Sequence, residues 1–252
     1  MKNWLELIVK KKAPKTPKNT PTDPWRLADL TDSEKEILEK VEPYTMTSPE
    51  RLISLIRAVD YIIENGIEGD FVECGVWKGG SAMAMACTLQ KHRISNRHIF
   101  LYDTFEGMSE PTSLDRSLDG NPAKALLENS QKEDARSVWC YSTLDDVEAT
   151  MNATRYPKEY VHYVKGKVED TIPSVALPEK IALLRLDTDW YESTKHELEH
   201  LFPHLQKGGI LIIDDYGHWE GCQKAVDEYL RDNNINLFLT RVDYTCRLAV
   251  KL

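Results

Sequence analysis

The chain lacks most of the features that would place it at a glance. No apolar run approaches the ~20 residues a membrane helix needs. The opening Trp4-Leu5-Glu6-Leu7-Ile8-Val9 is too short for a secretory signal and is interrupted by Glu6. The five cysteines (Cys74, Cys87, Cys140, Cys222, Cys246) are an odd number with no CxxC spacing. They read as reduced, mostly buried thiols of a cytoplasmic protein. A basic excess is missing as well: the 252 residues carry a net charge of -9, which opposes sequence-independent nucleic-acid binding. No P-loop with Gly-Lys-Ser/Thr occurs, and no G-x-G-x-x-G. Membrane spanning, nucleic-acid binding and ATP hydrolysis all fall away, leaving a small molecule as the expected partner.

What is present is a pair of apolar runs that end in carboxylates. Ile181-Ala-Leu-Leu-Arg-Leu finishes at Asp187, with Asp189 two residues on, and Gly209-Ile-Leu-Ile-Ile finishes at Asp214-Asp215. Short apolar runs bounded by charge read as strands buried on both faces of a parallel sheet. One helical pattern, Tyr191 to Leu205, lies between them and closes at Lys207-Gly208-Gly209. A strand–helix–strand unit makes the two strands parallel and brings their C-terminal ends to one edge, where open α/β sheets bind ligands. Carboxylates crowded there repel one another unless a cation separates them, and oxygen-only ligands suit Mg²⁺, Mn²⁺ or Ca²⁺. The plain alternative is that the aspartates merely open loops.

The rest of the chain alternates in the same way. Residues 1–25, with lysines and four prolines (Pro14, Pro17, Pro21, Pro24), read as a flexible or subunit-contacting arm, and 26–69 as a helical cap. In the cap, one helix opens at Asp32 or Ser33, and another at Ser48-Pro49-Glu50 continues through Leu52, Leu55, Ile56, Val59 and Ile62. Residues 70–252 then predict strands at Asp70–Val76, His98–Asp103, Tyr160–Lys165, Ile181–Asp187 and Ile210–Asp214. Helices are expected at Gly80–His92, Leu144–Ala153 and Trp219–Leu230, and a long loop from Glu106 to Ser130. Two last strands, Asn236–Val242 and Cys246–Leu252, are joined by a turn too short for anything but antiparallel pairing. The expected architecture is a doubly wound, mostly parallel sheet with one reversed strand.

The first strand runs into glycines: Phe71-Val72-Glu73-Cys74-Gly75-Val76-Trp77-Lys78-Gly79-Gly80-Ser81 is strand, turn, helix start. Gly75 permits close approach of backbone to a ligand, and the amides opening the helix point at the site. The next strand ends at Asp103, 23 residues after Gly80, where an acid is placed to bond a ribose diol. Together they indicate a nucleoside.

The segments Tyr44-Thr45-Met46-Thr47-Ser48, Phe71 to Gly80, Tyr102-Asp103-Thr104-Phe105-Glu106-Gly107-Met108, Val164 to Thr171, Leu186 to Thr194 and Asp214-Asp215-Tyr216-Gly217 occur in order. In this the chain resembles the macrocin O-methyltransferase family, metal-dependent enzymes that methylate sugar hydroxyls of natural products. The resemblance implies a Rossmann-like class I methyltransferase fold with a seven-stranded sheet, S-adenosylmethionine as donor and Mg²⁺ as the metal. It places Glu73, Gly75 and Ser81 at the methionine end of the donor, with Thr45 and Met46 closing over it. It gives the ribose to Asp103 and the adenine side to Thr104, Phe105, Gly166, Lys167 and Val168. Asp187, Asp214 and Asp215 correspond to metal ligands, and Asp187 also to the base, with His218 and Asp189 as rivals. A homo-oligomer is expected.

Other patterns compete. His196-Glu197-Leu198-Glu199-His200 fits the zinc-protease H-E-x-x-H. At ~100° per residue, however, those histidines lie opposite the stripe of Tyr191, Leu198, Leu201, Phe202 and Leu205, and so face solvent. Asp187-Thr188-Asp189 also matches the D-x-D of metal-dependent glycosyltransferases. A non-catalytic donor-binding scaffold is a third reading, opposed by the cost of idle crowded carboxylates. For the acceptor, the loop from Met108 to Lys132 has the length of a lid, and Trp139, Tyr141, Trp190 and Trp219 are candidates for an aromatic wall.

Overall fold

A computed structural model describes residues 28–134, 137–175 and 177–252. The arm at residues 1–25 lies outside the described residues. Seven strands make one sheet: β1 (Asp70–Cys74), β2 (Ile99–Asp103), β3 (Val161–Lys165), β4 (Ile181–Leu186), β5 (Leu205–Ile213), β6 (Thr240–Arg241) and β7 (Arg247–Val250). Their spatial order is β3-β2-β1-β4-β5-β7-β6, with the first five parallel and β7 antiparallel to both β5 and β6. The doubly wound, mostly parallel sheet with its antiparallel hairpin is the architecture expected from the sequence. Chain order reverses between β1 and β4, so a crevice opens beyond their C-terminal ends.

Each face of the sheet has its own core. On one, α1 (Asp32–Val41), α2 (Pro49–Glu64), α3 (Gly80–Lys91) and α5 (Leu144–Thr154) bury Val41, Leu55, Ile62, Met83 and Val147 against Phe71, Leu101 and Leu183. On the other, α4 (Ala123–Glu128), α6 (Val168–Thr171), α7 (Tyr191–Leu201) and α8 (Glu220–Asp232) bury Leu127, Val168, Leu198 and Val226 against Val72, Leu184 and Leu211. Ser48 caps α2 by accepting the Arg51 amide, and Pro49 sits in the first turn, where its missing N–H costs nothing. Thr31 and Glu34 close a capping box on α1. The cap helices therefore share one apolar cluster with β1 and α3.

Several boundaries differ from expectation. Lys207-Gly208-Gly209 does not end a helix; it lies inside β5, which starts at Leu205 opposite Ile181 and absorbs a register shift. The helix before it stops at Leu201, because Pro203 supplies no amide and the chain tightens into a 3-10 turn at Phe202–His204. Only Thr240–Arg241 of the expected Asn236–Val242 strand pairs; Leu237 and Leu239 instead pack on the second core, leaving Phe238 exposed. The 106–130 loop contains α4 and a short bridge, Ser117 to Trp219. None of the helices among the described residues is long and apolar enough to cross a membrane.

The packing of α2 is open to a direct check. Leu55, 2% exposed, should cost about 2–5 kcal/mol when cut to alanine, read as a lower urea midpoint at unchanged slope.

Candidate active site

A cavity of about 720 Å³ lies at the C-terminal edge of the sheet. Backbone geometry makes it possible. Gly75 has φ +82, and a Cβ there would sit 2.1 Å from the Asp187 carbonyl oxygen, so only glycine lets the ends of β1 and β4 come this close. A Cβ at Gly80 would sit 2.6 Å from the Tyr44 carbonyl, so residues 44–45 form a roof directly on the start of α3. Ladder bonds run past the strand ends, Gly75 N to Tyr102 O (2.9 Å), Asp187 N to Cys74 O (2.8 Å) and Asp214 N to Leu186 O (2.9 Å), and bring four loops to one edge.

Most of the expected donor-side residues border this cavity: Thr45, Met46, Gly75, Ser81, Asp103, Thr104, Gly166, Lys167 and Val168. Two do not. Phe105 turns into the core at φ +51 with its ring 6.5 Å from that of Tyr163. Glu73 lies 1% exposed beneath the floor. Asp103 has a bracing task at this edge: Oδ2 accepts the amides of Val76 (2.6 Å) and Trp77 (3.2 Å), and Oδ1 that of Phe105 (2.6 Å). These bonds hold the glycine turn against the β2 loop. Burial nonetheless raises its carboxyl above the usual range.

On the other side, carboxylate oxygens of Asp187, Asp214 and Asp215 all lie within 4.8 Å of one another. The expectation that only a bound cation could relieve such crowding needs correction, because two guanidinium groups sit among the acids. Arg185 is fully buried. Its Nη1 donates to Glu73 Oε1 (2.6 Å) and Asp187 Oδ2 (2.7 Å), and its Nη2 to Asp214 Oδ1 (2.7 Å) and Thr47 Oγ1 (3.3 Å). Arg51, from the first turn of α2, pairs with the other oxygen of Asp214 and with Asp243 at 3.1 Å. Sequence reasoning passed over both. The signal for Arg185 was there: it is the lone charge in the Ile181–Leu186 run and stands in register with Glu73 of β1. Arg51 carried no signal.

Two cations do not balance this many acids. Burial and the neighbouring carboxylates push Asp187 and Asp215 well above the usual carboxylate range, and Asp189 up to about 7. The side chains of Asp187, Asp215 and Asp189 lie within bonding reach of one another. Three carboxylate oxygens gathered within 4.8 Å of one another are a hard, all-oxygen donor set that fits a divalent cation.

The acceptor side departs further from expectation. Within the 108–132 loop, Thr112, Asp115 and Leu118 are tied to the body of the domain. Asp115, 0% exposed, accepts the Tyr191 amide (2.8 Å) and both the amide (2.6 Å) and hydroxyl (2.9 Å) of Thr112. Leu118 N donates to His218 O at 2.8 Å. Of the four aromatics considered for a wall, Trp219 alone borders the cavity, while Trp190 packs edge-on to it in the core, ring centroids 4.9 Å apart. His218 borders the cavity beside Tyr244, whose hydroxyl is 3.4 Å from Nδ1, and burial lowers its pKa so that the ring is neutral. The histidines of the H-E-x-x-H pattern are half-buried, not solvated: His196 Nε2 bonds the Ile172 carbonyl at 2.8 Å, and Glu197 lies wholly inside. None of them borders the cavity.

A sheet of this order, a glycine turn with its acid partner, and an acidic pocket at the switch point define a class I S-adenosylmethionine-dependent methyltransferase. Comparison with known proteins narrows the class. The model of the Macrocin-O-methyltransferase (TylF) family matches residues 15–250, and the chain belongs to that family. It is similar to the demethyldecarbamoylnovobiocin O-methyltransferase of Streptomyces niveus, 33% identical over 74% of this chain and 67% of that protein. It is similar also to an 8-demethyl-8-(2,3-dimethoxy-alpha-L-rhamnosyl)-tetracenomycin-C 4'-O-methyltransferase of Streptomyces olivaceus, 33% identical over 80% and 73%. Among solved structures, the O-methyltransferase NovP superposes with a TM-score of 0.69 at 28% identity, covering 82% of each chain. The protein is thus an S-adenosylmethionine-dependent O-methyltransferase, which displaces the nucleotide-sugar reading of Asp187-Thr188-Asp189 and the idle scaffold.

Removing Arg185 strands Glu73 and Asp214 in the interior and leaves Asp187 without its partner at the cavity wall. Arg185→Met should destabilise the unliganded protein by about 3–5 kcal/mol, and adding Glu73→Gln should recover part of the loss in the same urea titration.

Proposed function

We propose that this protein transfers the methyl group of S-adenosylmethionine to a sugar hydroxyl of a glycosylated small molecule, with Mg²⁺ held by Asp187, Asp214 and Asp215. One observation carries the reading: the three carboxylates and the glycine turn that opens α3 face the same cavity, so donor and cation sites adjoin. The relatives' names supply the acceptor class, since one acts on a rhamnosyl tetracenomycin and another, of Micromonospora griseorubida, on the 3'' position of mycinamicin III.

An alcohol is a poor nucleophile while it keeps its proton, and the transfer is an in-line displacement at a sulfonium carbon. A divalent cation, when bound, supplies a lowered pKa and a fixed orientation for the acceptor hydroxyl. The chain's own residues do the remainder. Thr45 and Met46 close the roof over the methionine end of the donor, with Gly75 and Ser81 below, while Gly166, Lys167 and Val168 flank its adenine end, excluding water and aligning the methyl group. Glu73 serves this from beneath the floor by neutralising Arg185. Asp187, which bonds Arg185 through one oxygen and lines the cavity, is the group proposed to take the hydroxyl proton. A second candidate for that task is supported by its own geometry: His218 is neutral and lines the cavity, and no hydrogen bond to its Nε2 is found among the described residues. Outside the described residues, the 1–25 arm is proposed to bridge copies in a cytoplasmic homo-oligomer. Light scattering would show an unchanged mass after its removal if that is wrong.

S-adenosylhomocysteine at about 100 times its Kd should stabilise the fold by about 2.7 kcal/mol, while UDP added to the protein already saturated with Mn²⁺ gives no further rise in melting temperature. EDTA should abolish methylation of a glycoside panel and Mg²⁺ restore it; full turnover in EDTA removes the cation from the scheme. Asp187→Asn should lower turnover at least about 100-fold while S-adenosylhomocysteine still binds. Near-normal turnover there, with the loss found in His218→Ala instead, would transfer the proton step to His218.

A further inference from the structure

Nothing in the sequence announces the turn made by Asp187-Thr188-Asp189-Trp190. The Trp190 amide donates to the Thr188 carbonyl at 2.8 Å, and Asp189 between them has φ +71. This is the γ-turn with a positive central φ, rare and strained for any residue but glycine. Its product is convergence, since Asp187 at its entrance and Asp189 at its apex both border the cavity. Such strain persists only where the surroundings over-determine it.

The surroundings here include an unusual group. Glu197 of α7 is 0% exposed and lies beneath the turn. Its Oε1 accepts the Thr188 hydroxyl at 2.9 Å, and for its Oε2 no hydrogen-bond partner is found among the described residues other than the Cys74 thiol beside the carboxyl. Burial raises the carboxyl well above its ordinary range. A leucine would fill this position without desolvating anything. The carboxyl's one strong contact is with Thr188.

We propose that Glu197 is a positioning residue that holds the Thr188 hydroxyl from below, keeps the strained turn closed, and thereby sets where Asp187 and Asp189 stand relative to Asp214 and Asp215. Glu197 touches no reacting atom. Its effect on cation binding rests on the reading of the acidic cluster given above; its effect on the turn does not.

The test compares wild type, Glu197→Gln, Glu197→Leu and Thr188→Val by three measurements: Mn²⁺ affinity, S-adenosylhomocysteine affinity, and exchange of the Trp190 amide in the metal-free protein by NMR. Glu197→Gln keeps the acceptor oxygen and should stay within about threefold of wild type throughout, whereas Glu197→Leu and Thr188→Val should weaken Mn²⁺ about 10- to 100-fold. Those two should also speed Trp190 exchange and leave S-adenosylhomocysteine affinity unchanged. Thr188→Val breaks the same bond without altering the packing around residue 197, so it decides the matter if Glu197→Leu does not fold. A protected Trp190 amide in the folded leucine and valine variants overturns the proposal. So does an equal loss in the glutamine and leucine variants, or a parallel fall in S-adenosylhomocysteine affinity. Absence of Mn²⁺ binding by wild type would defeat the cation reading alone, and Trp190 exchange would still decide the clamp.

Discussion

The site depends on one side chain: the guanidinium of Arg185, buried in the middle of the sheet and bonded to Glu73, Asp187 and Asp214. Those three acids belong to β1 and to the loops that follow β4 and β5. Three adjacent parallel strands thus have their C-terminal ends set relative to one another by charge as well as by backbone ladders. A planar group with five fixed donors can do this; a lysine ammonium, a flexible point charge, cannot span the same acceptors. The arrangement is costly to desolvate, and it makes sense where the acids must be held close together for a purpose other than stability. Thr47, bonded to the same guanidinium, ties the roof of the cavity into this network.

Much of this was legible beforehand, for identifiable reasons. The parallel sheet followed from apolar runs and the strand–helix–strand spacing, and the reversed hairpin from the short Asp243-Tyr244-Thr245 turn. Asp187, Asp214 and Asp215 converge because strand ends in a parallel sheet must share an edge. What was missed required knowing which side chains meet across strands. Arg185 reads as an exception in an apolar strand until Glu73 is placed in register with it. Glu197 sits in a run of charged residues, Lys195 to Glu199, where helical stepping alone suggests a solvated face. In the structure Ser193, Thr194, Glu197, Leu198 and Leu201 are the residues of α7 turned inward. A helix lying under an active-site loop buries polar groups that periodicity assigns to water.

The 108–132 loop shows the same limit from another direction. Its length and breaker residues suggest mobility, but a fully buried Asp115 holds Thr112 and the first amide of α7, and a bridge joins Ser117 to Trp219. Loop length bounds flexibility poorly when one carboxylate satisfies three donors at once. The cavity is bordered elsewhere by the Tyr44–Thr47 roof and by Ser137, Val138 and Cys140.

The roof has a practical corollary for anyone dissecting the protein. Tyr44 and Thr45 lean on Gly80 where no side chain fits, and Arg51 behind them reaches into the acid cluster. A fragment cut at Asp70, where the strands begin, would keep every sheet residue of the catalytic edge. It would also bare the apolar surface that Val41, Leu55 and Ile62 now cover, and take away half of Asp214's positive neighbours. The minimal working unit therefore starts upstream of the first strand by the length of two helices.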